Sequence, residues 1–447
     1  MPNHPAESPD IAPDYMMPSK SQTPQQLLQK LLLFFSAGTL LTLALASYAW
    51  LASLARANER REAVTPNSAR FVVVAGGGAP SYNEIALEKN VLYFQRTLAE
   101  LGQSASDVDI FFANGNDGQS TVRYINFLGR ERFKPPEIAH LRGAATAANL
   151  DQWFQQTAKQ PPCQRFFYFT GHGLYNETNP DNNSLILWKE TLFDVQDLAA
   201  RLDRLPPEQP FVAMMAQCYA GAFANLIYEG GDPSQPVALQ SRCGFFATVA
   251  SRPSVGCTPA VNEADYRDYS SSFFAGLSGV DRVGQPVASA DYDANGVIAY
   301  NEAHAFAKVD EETADWPIST VEAWLQRQAT PQDTASILSL PLANWVAVST
   351  PQRRYVIESL AAKLGYDLSE PYPAQERPVQ ANEVQVAYRM RLEMELINVG
   401  ITQKIQTSGS DAQLSILNQL TECEASSLSG PRDPHDGRIL QSFQELQ

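Results

Sequence analysis

Cysteine is scarce in this chain, five in 447 residues, so a small scaffold built on disulfides is excluded. No two are spaced C-x-x-C, which removes the usual structural zinc sites. Clustered Lys and Arg are also missing: 33 basic side chains face 49 acidic ones, for a net charge of −16. Such a surface repels phosphate, so no nucleic-acid partner is expected. The Gly-rich stretch Asn114-Gly-Asn-Asp-Gly118 lacks the lysine of a P-loop and reads as a turn. No internal repeat is visible. What the chain does have is a 44% apolar fraction, ample for a large buried core.

The longest uncharged run is Leu31 to Ala55, rich in Leu and Ala and flanked by Lys30, Arg56, Arg60 and Arg61. About 25 residues at 1.5 Å each span a hydrocarbon core of about 30 Å, so residues 27–56 read as a single membrane-spanning helix or signal anchor. A cleaved signal peptide ending near Ala55-Arg56-Ala57 is the alternative. Flanking charge is close to balanced, and the domain beyond is expected outside the cytoplasm. The proline-rich residues 1–26 are expected to be disordered, and residues 57–69 to be a polar linker.

From residue 70 the pattern becomes that of an α/β domain. Phe71-Val-Val-Val-Ala75, Val108-Asp-Ile-Phe-Phe112, Phe166-Phe-Tyr-Phe-Thr170 and Phe211-Val-Ala-Met-Met215 are continuous apolar runs, the mark of strands buried on both faces of a parallel sheet. Between them, Val91, Phe94, Leu98 and Leu101 recur at helical spacing, and residues 140–157 and 193–205 read as further helices. This alternation predicts a mostly parallel αβα sandwich over residues 70–329. A short strand at Ser184 to Trp188 completes the pattern.

Two of the apolar runs end in reactive side chains, His172 and, 46 residues on, Cys218. Ligand sites in open α/β sheets gather at the strands' carboxyl ends, so the two can meet. An imidazole that takes the thiol proton makes sulfur competent to attack a carbonyl. Gly173 and Gly221 leave backbone free to approach a substrate, where an amide can donate to an oxyanion.

Tyr168-Phe-Thr-Gly-His172-Gly173 followed by Gln217-Cys218-Tyr-Ala-Gly221 resembles the catalytic blocks of clan CD cysteine peptidases, most closely the legumain-like branch, with caspases as a further relative. The resemblance implies a caspase-like fold. It also implies catalysis by Cys218 and His172, an oxyanion contact from the Gly173 amide, and an orienting role for Asn83. Gly244 to Ser251 resembles the family's strand after the nucleophile, whose end borders the specificity pocket, so substrate is expected to lie against Gln217 and near Ser251. The function so implied is a membrane-anchored cysteine endopeptidase acting on a protein or peptide. A legumain-related transamidase and a non-catalytic interaction module on the same fold are the alternatives.

Asp291-Tyr-Asp293-Ala-Asn295-Gly296-Val297-Ile298-Ala-Tyr-Asn-Glu302 supplies oxygen at positions 1, 3, 5 and 12 of a twelve-residue loop, with Gly at position 6. That is the EF-hand pattern, in which the backbone carbonyl of Val297 joins Asp291, Asp293, Asn295 and Glu302 around Ca²⁺. No entering helix is evident upstream, so a lone bracing loop is expected. Residues 330–447 read as a helical extension with segments at Tyr355–Leu364 and Val384–Ile405, suited to self-association or to packing back on the domain. Cys163, Cys243, Cys257 and Cys423 are either bridged or free, and Cys218 is the expected lone thiol.

Overall fold

A computed structural model of the protein describes residues 70–104, 107–375 and 382–428. The expected membrane segment at residues 31–55 lies outside the described residues. Among the described residues, no helix is long and apolar enough to cross a membrane.

In chain order the first half runs β1 (Arg70–Gly76), α1 (Ile85–Glu100), β2 (Val108–Phe112), the hairpin β3 (Val122–Ile125) and β4 (Glu131–Lys134), β5 (Leu141–Gly143), α2 (Ala147–Thr157) and β6 (Arg165–Leu174). A second hairpin, β7 (Ser184–Leu187) and β8 (Thr191–Asp194), leads into α3 (Val195–Leu202), β9 (Phe211–Ala216) and β10 (Arg242–Phe246). Helix α4 (Tyr269–Ser278), α5 (Tyr300–Asp310), β11 (Ile318–Ser319) and α6 (Thr320–Gln328) follow. The remainder is helical: α7 (Pro331–Leu338), α8 (Leu342–Val348), α9 (Pro351–Leu364), α10 (Glu383–Ser408) and α11 (Asp411–Glu424).

The main sheet has the order β11-β10-β9-β6-β1-β2-β5. Every neighbouring pair is parallel except β10 with β11. Alternation along the strands splits the core in two. Val72, Val74, Phe167, Phe169, Ala213 and Met215 face a layer containing α2, α3 and α6. Phe71, Val73, Phe166, Tyr168, Val212 and Met214 face α1, α4 and α5. Each such side chain is completely or almost completely buried, the Val, Phe and Met among them worth about 1.5–3 kcal/mol apiece against exposure. The result is the expected αβα sandwich.

Several boundaries differ from the sequence reading. The stretch 140–157 is not one helix: Leu141 pairs with Ile110 as an edge strand, and α2 begins only after Thr146, whose hydroxyl accepts from the Asn149 amide at 3.3 Å. The helix expected over 193–205 covers only Val195–Leu202, because Thr191 to Asp194 pairs antiparallel with β7. The strand after the cysteine block spans Arg242–Phe246 and ends before Ser251.

The C-terminal helices pack back on the domain. Leu392, Leu396, Val399 and Ile401 of α10 join the same core as the sheet. Arg391, wholly buried, donates to the carbonyls of Lys308 (3.0 Å), Glu311 (2.7 Å), Thr313 (3.2 Å) and Asp315 (2.8 Å). A disulfide joins Cys243 of β10 to Cys423 of α11, Cα to Cα 5.9 Å, tying the end of the described chain to the central sheet. Cys163, Cys218 and Cys257 are free.

Candidate active site

His172 lies near the end of strand β6, beyond the point where the run of aromatic core residues ends. The ring is flanked on three sides. Its Nε2 bonds the Glu84 carboxylate at 3.0 Å, the Tyr82 ring meets it edge-on at 5.3 Å, and the Cys257 thiol lies nearby, donating to the Gly171 carbonyl at 3.9 Å. Donor atoms of Glu84, His172 and Cys257 all lie within 4.8 Å of one another. Burial works against a charged ring, but Cys257 and Glu84 outweigh it and raise the imidazole to about 10. Glu84, the residue preceding α1, is buried and also accepts from Arg123 of β3 at 2.6 Å. Burial pushes its carboxyl up, yet His172 and Arg123 prevail and hold it below the ordinary value.

Cys218 stands just past β9, on the strand next to β6. The last paired residues of the two parallel strands are Thr170 and Ala216. Two residues further on each strand come His172 and Cys218, so both reach the same rim. The approach is close: a β-carbon on Gly173 would fall 2.1 Å from the Cys218 carbonyl oxygen, which only glycine permits. Directly after Cys218 the chain turns sharply through Tyr219, a non-glycine residue at φ +61°, a conformation that costs free energy and concentrates at functional sites. Gly221 then passes the loop after β10, where a β-carbon would lie 2.6 Å from the Ala250 nitrogen.

In this arrangement the Cys218 sulfur bonds the Ser254 backbone, accepting from its amide at 3.3 Å and donating to its carbonyl at 3.5 Å. Burial raises the thiol above its ordinary value, with the Ser254 amide pulling the other way. Ser254 is in turn fixed by Asp315, which accepts from its hydroxyl at 2.6 Å, while the Val255 amide donates to the same carboxylate at 3.1 Å. Arg391 grips the Asp315 carbonyl. A chain of contacts thus runs from α10 to the thiol.

The other residues singled out from the sequence fall into place unevenly. Asn83, expected to orient His172, does not: its Oδ1 accepts from the Gly77 amide at 2.9 Å and its Nδ2 donates to the Thr121 carbonyl at 3.3 Å. The orienting carboxylate is its neighbour, Glu84. Gln217 is buried beside Gly173, and neither its amide nitrogen nor its amide oxygen has a partner. Two orphaned buried polar atoms are costly, and they sit one residue from the thiol. Ser251 is exposed on the loop that continues to Ser254. Beyond Cys257 in the chain, Glu263 pairs with Lys89 and Arg96, and Asp268 caps α4 by accepting from the Ser271 amide at 2.7 Å.

The twelve-residue acidic loop is folded as a tight turn ahead of α5. Asp291 Oδ2 accepts from the Gly296 amide at 2.9 Å, and Glu302 accepts from the amides of Tyr292 (2.8 Å) and Ala299 (2.9 Å). Gly296 is left-handed at φ +83°, as the pattern requires. Carboxylate oxygens of Asp291, Asp293 and Glu302 converge within 4.8 Å, a hard-oxygen donor set that fits Ca²⁺. Upstream, residues 279–287 form a small hairpin-like turn bridged at Val280 and Pro286 in place of an entering helix.

No family model and no curated protein matches the chain. A solved structure of protein GSU0716 from Geobacter sulfurreducens aligns with 53% of this chain and 88% of its own, at 13% identity and a TM-score of 0.31. A likeness that loose carries no argument about function.

Proposed function

We propose that the protein is a cysteine endopeptidase with a caspase- or legumain-like αβα fold, held at a membrane by residues 31–55. The observation that carries this reading is the strand register that brings His172 and Cys218 to one rim on neighbouring parallel strands. Cys218, as thiolate, attacks the peptide carbonyl carbon, and the protonated His172 ring gives its proton to the leaving amine as the C–N bond breaks. Water, giving a proton to the now neutral ring, then cleaves the thioester and returns the thiolate and the charged imidazole. Glu84 sets the ring's orientation and stabilises its charged form, the role a carboxylate plays in other nucleophile–histidine pairs. The unpartnered amide of Gln217 is suited to hydrogen-bond a substrate group, and the Gly173 amide to help hold the oxyanion.

A second thiol competes for the role, since the Cys257 sulfur lies within 4.8 Å of a His172 ring nitrogen. Labelling with a library of peptide electrophiles, followed by mass-spectrometric mapping, decides between them: modification at Cys218, abolished by His172→Ala, supports the proposal. Labelling of Cys257 alone would give the nucleophile's role to that residue. Absence of any labelling favours an interaction module that keeps the fold.

The acidic loop supports a bound Ca²⁺, held by Asp291, Asp293, Asn295, Glu302 and the Val297 carbonyl, with a bracing role. The Cys243–Cys423 bridge suits an oxidising compartment, in keeping with a domain outside the cytoplasm.

A further inference from the structure

The imidazole and two side chains beside it share a property that peptide hydrolysis does not require. Glu84 offers a carboxylate oxygen, His172 a ring nitrogen and Cys257 a sulfur, and these donor atoms lie within 4.8 Å of one another. Nitrogen, sulfur and one carboxylate make a borderline-soft set, the kind Zn²⁺ takes at bond lengths of about 2.0–2.3 Å. Two of the donors, Glu84 Oε2 and His172 Nε2, are already 3.0 Å apart. Hard Ca²⁺ and Mg²⁺ would decline the sulfur.

The outer shell is built as well. Arg123 occupies the other oxygen of Glu84 at 2.6 Å and pairs with Glu131 at 3.0 Å, fixing the carboxylate so that its free oxygen faces the ring. Such outer partners commonly decide metal affinity. Tyr82 backs the imidazole, and its own hydroxyl is anchored on Glu190 at 2.9 Å. Cys257 is exposed, which gives a metal ion access from solvent. Three protein ligands would leave a fourth position for water.

We infer that Glu84, His172 and Cys257 form a Zn²⁺ site that switches the enzyme off by occupying its imidazole. The inhibitory half of this inference rests on the peptidase reading; the metal site stands without it. A Zn²⁺ on Nε2 keeps the ring from carrying the second proton that the leaving amine needs, and claims the carboxylate that orients it. Activity then depends on removal of the ion.

The test uses the full-length chain with Co²⁺ as a spectroscopic stand-in. The wild-type protein and Cys218→Ala are expected to develop a near-ultraviolet thiolate-to-cobalt charge-transfer band saturating at one equivalent and erased by Zn²⁺. Cys257→Ala and Cys257→Ser should show no band, and Glu84→Gln should weaken binding at least tenfold, with circular dichroism confirming that each variant is folded. In the wild type, one equivalent of Zn²⁺ should slow peptide-electrophile labelling of Cys218 at least tenfold, and a chelator should restore it. A missing band, or one that survives loss of Cys257, overturns the metal site. A normal band with unaltered or faster labelling overturns the inhibitory role alone. A normal band on a protein that never labels leaves the metal site standing and removes the peptidase.

Discussion

Replacing Glu84 by Gln probes the contact on which the proposed chemistry depends. The carboxylate accepts two donors at once, Arg123 on Oε1 at 2.6 Å and His172 on Oε2 at 3.0 Å, from a buried position. An amide keeps one acceptor and turns an N–H₂ donor against whichever partner remains. Losing one charge-assisted bond in this setting costs about 1.5–3 kcal/mol. The sign of the pH dependence follows from both partners. His172, raised to about 10 from 6.5, contributes stability that is complete below 6.5 and fades as pH climbs towards 10. Glu84, lowered from 4.5, contributes above 4.5 and loses its contribution in acid. The wild type should therefore exceed Glu84→Gln in urea unfolding by about 2 kcal/mol between pH 4.5 and 6.5, with the gap closing near pH 10. An NMR titration of the imidazole should show a large downward shift in the variant. If Glu84 positions and stabilises the charged catalytic imidazole, the rate of electrophile labelling at Cys218 should fall about 10²-fold, or about 2.7 kcal/mol in barrier. A variant that keeps the His172 titration and the labelling rate of the wild type would refute the reasoning.

Three further outcomes follow from the geometry. Burial holds the Cys218 thiol above 9.0, so its labelling rate should rise about tenfold per pH unit between pH 7 and 8.5, measured by stopped-time labelling; a flat profile would mean that the thiolate is already formed. Arg391→Met strands four backbone carbonyls and the buried Glu311 carboxylate, and should cost about 3–5 kcal/mol in urea unfolding, with slower Cys218 labelling because Asp315 no longer fixes Ser254. Calcium at 100 times its dissociation constant should add about 2.7 kcal/mol to stability, an increment that Glu302→Gln and EDTA abolish; equal melting temperatures with and without calcium would dismiss the ion.

The sheet's central strands could be read directly because parallel strands covered on both faces leave continuous apolar runs, as in Phe71–Ala75 and Phe166–Thr170. Strands β5 and β8 left no such trace. Leu141-Arg-Gly143 is too short and sits at an edge, and Thr191 to Asp194 is a strand only because β7 lies beside it. His172 and Cys218 were visible as polar ends of those runs. Glu84 was not, because its role comes from two partners 39 and 88 residues away, Arg123 and His172. The only local hint was a lone carboxylate immediately before the apolar face of α1, beside the Asn83 that the resemblance favoured. Cys257 likewise reads as one half-cystine candidate among four, and its place against the imidazole depends on how the loop after β10 folds back. The disulfide pairing was hidden for a similar reason, since Cys243 and Cys423 are 180 residues apart.

The most direct measurement is a mass-spectrometric map of where a peptide electrophile attaches to the intact protein, comparing wild type with His172→Ala. Proteolysis through a sheet-edge dyad predicts a single adduct on Cys218 in the wild type and none in the variant. An adduct confined to Cys257, or equal labelling of Cys218 with and without the imidazole, would contradict it.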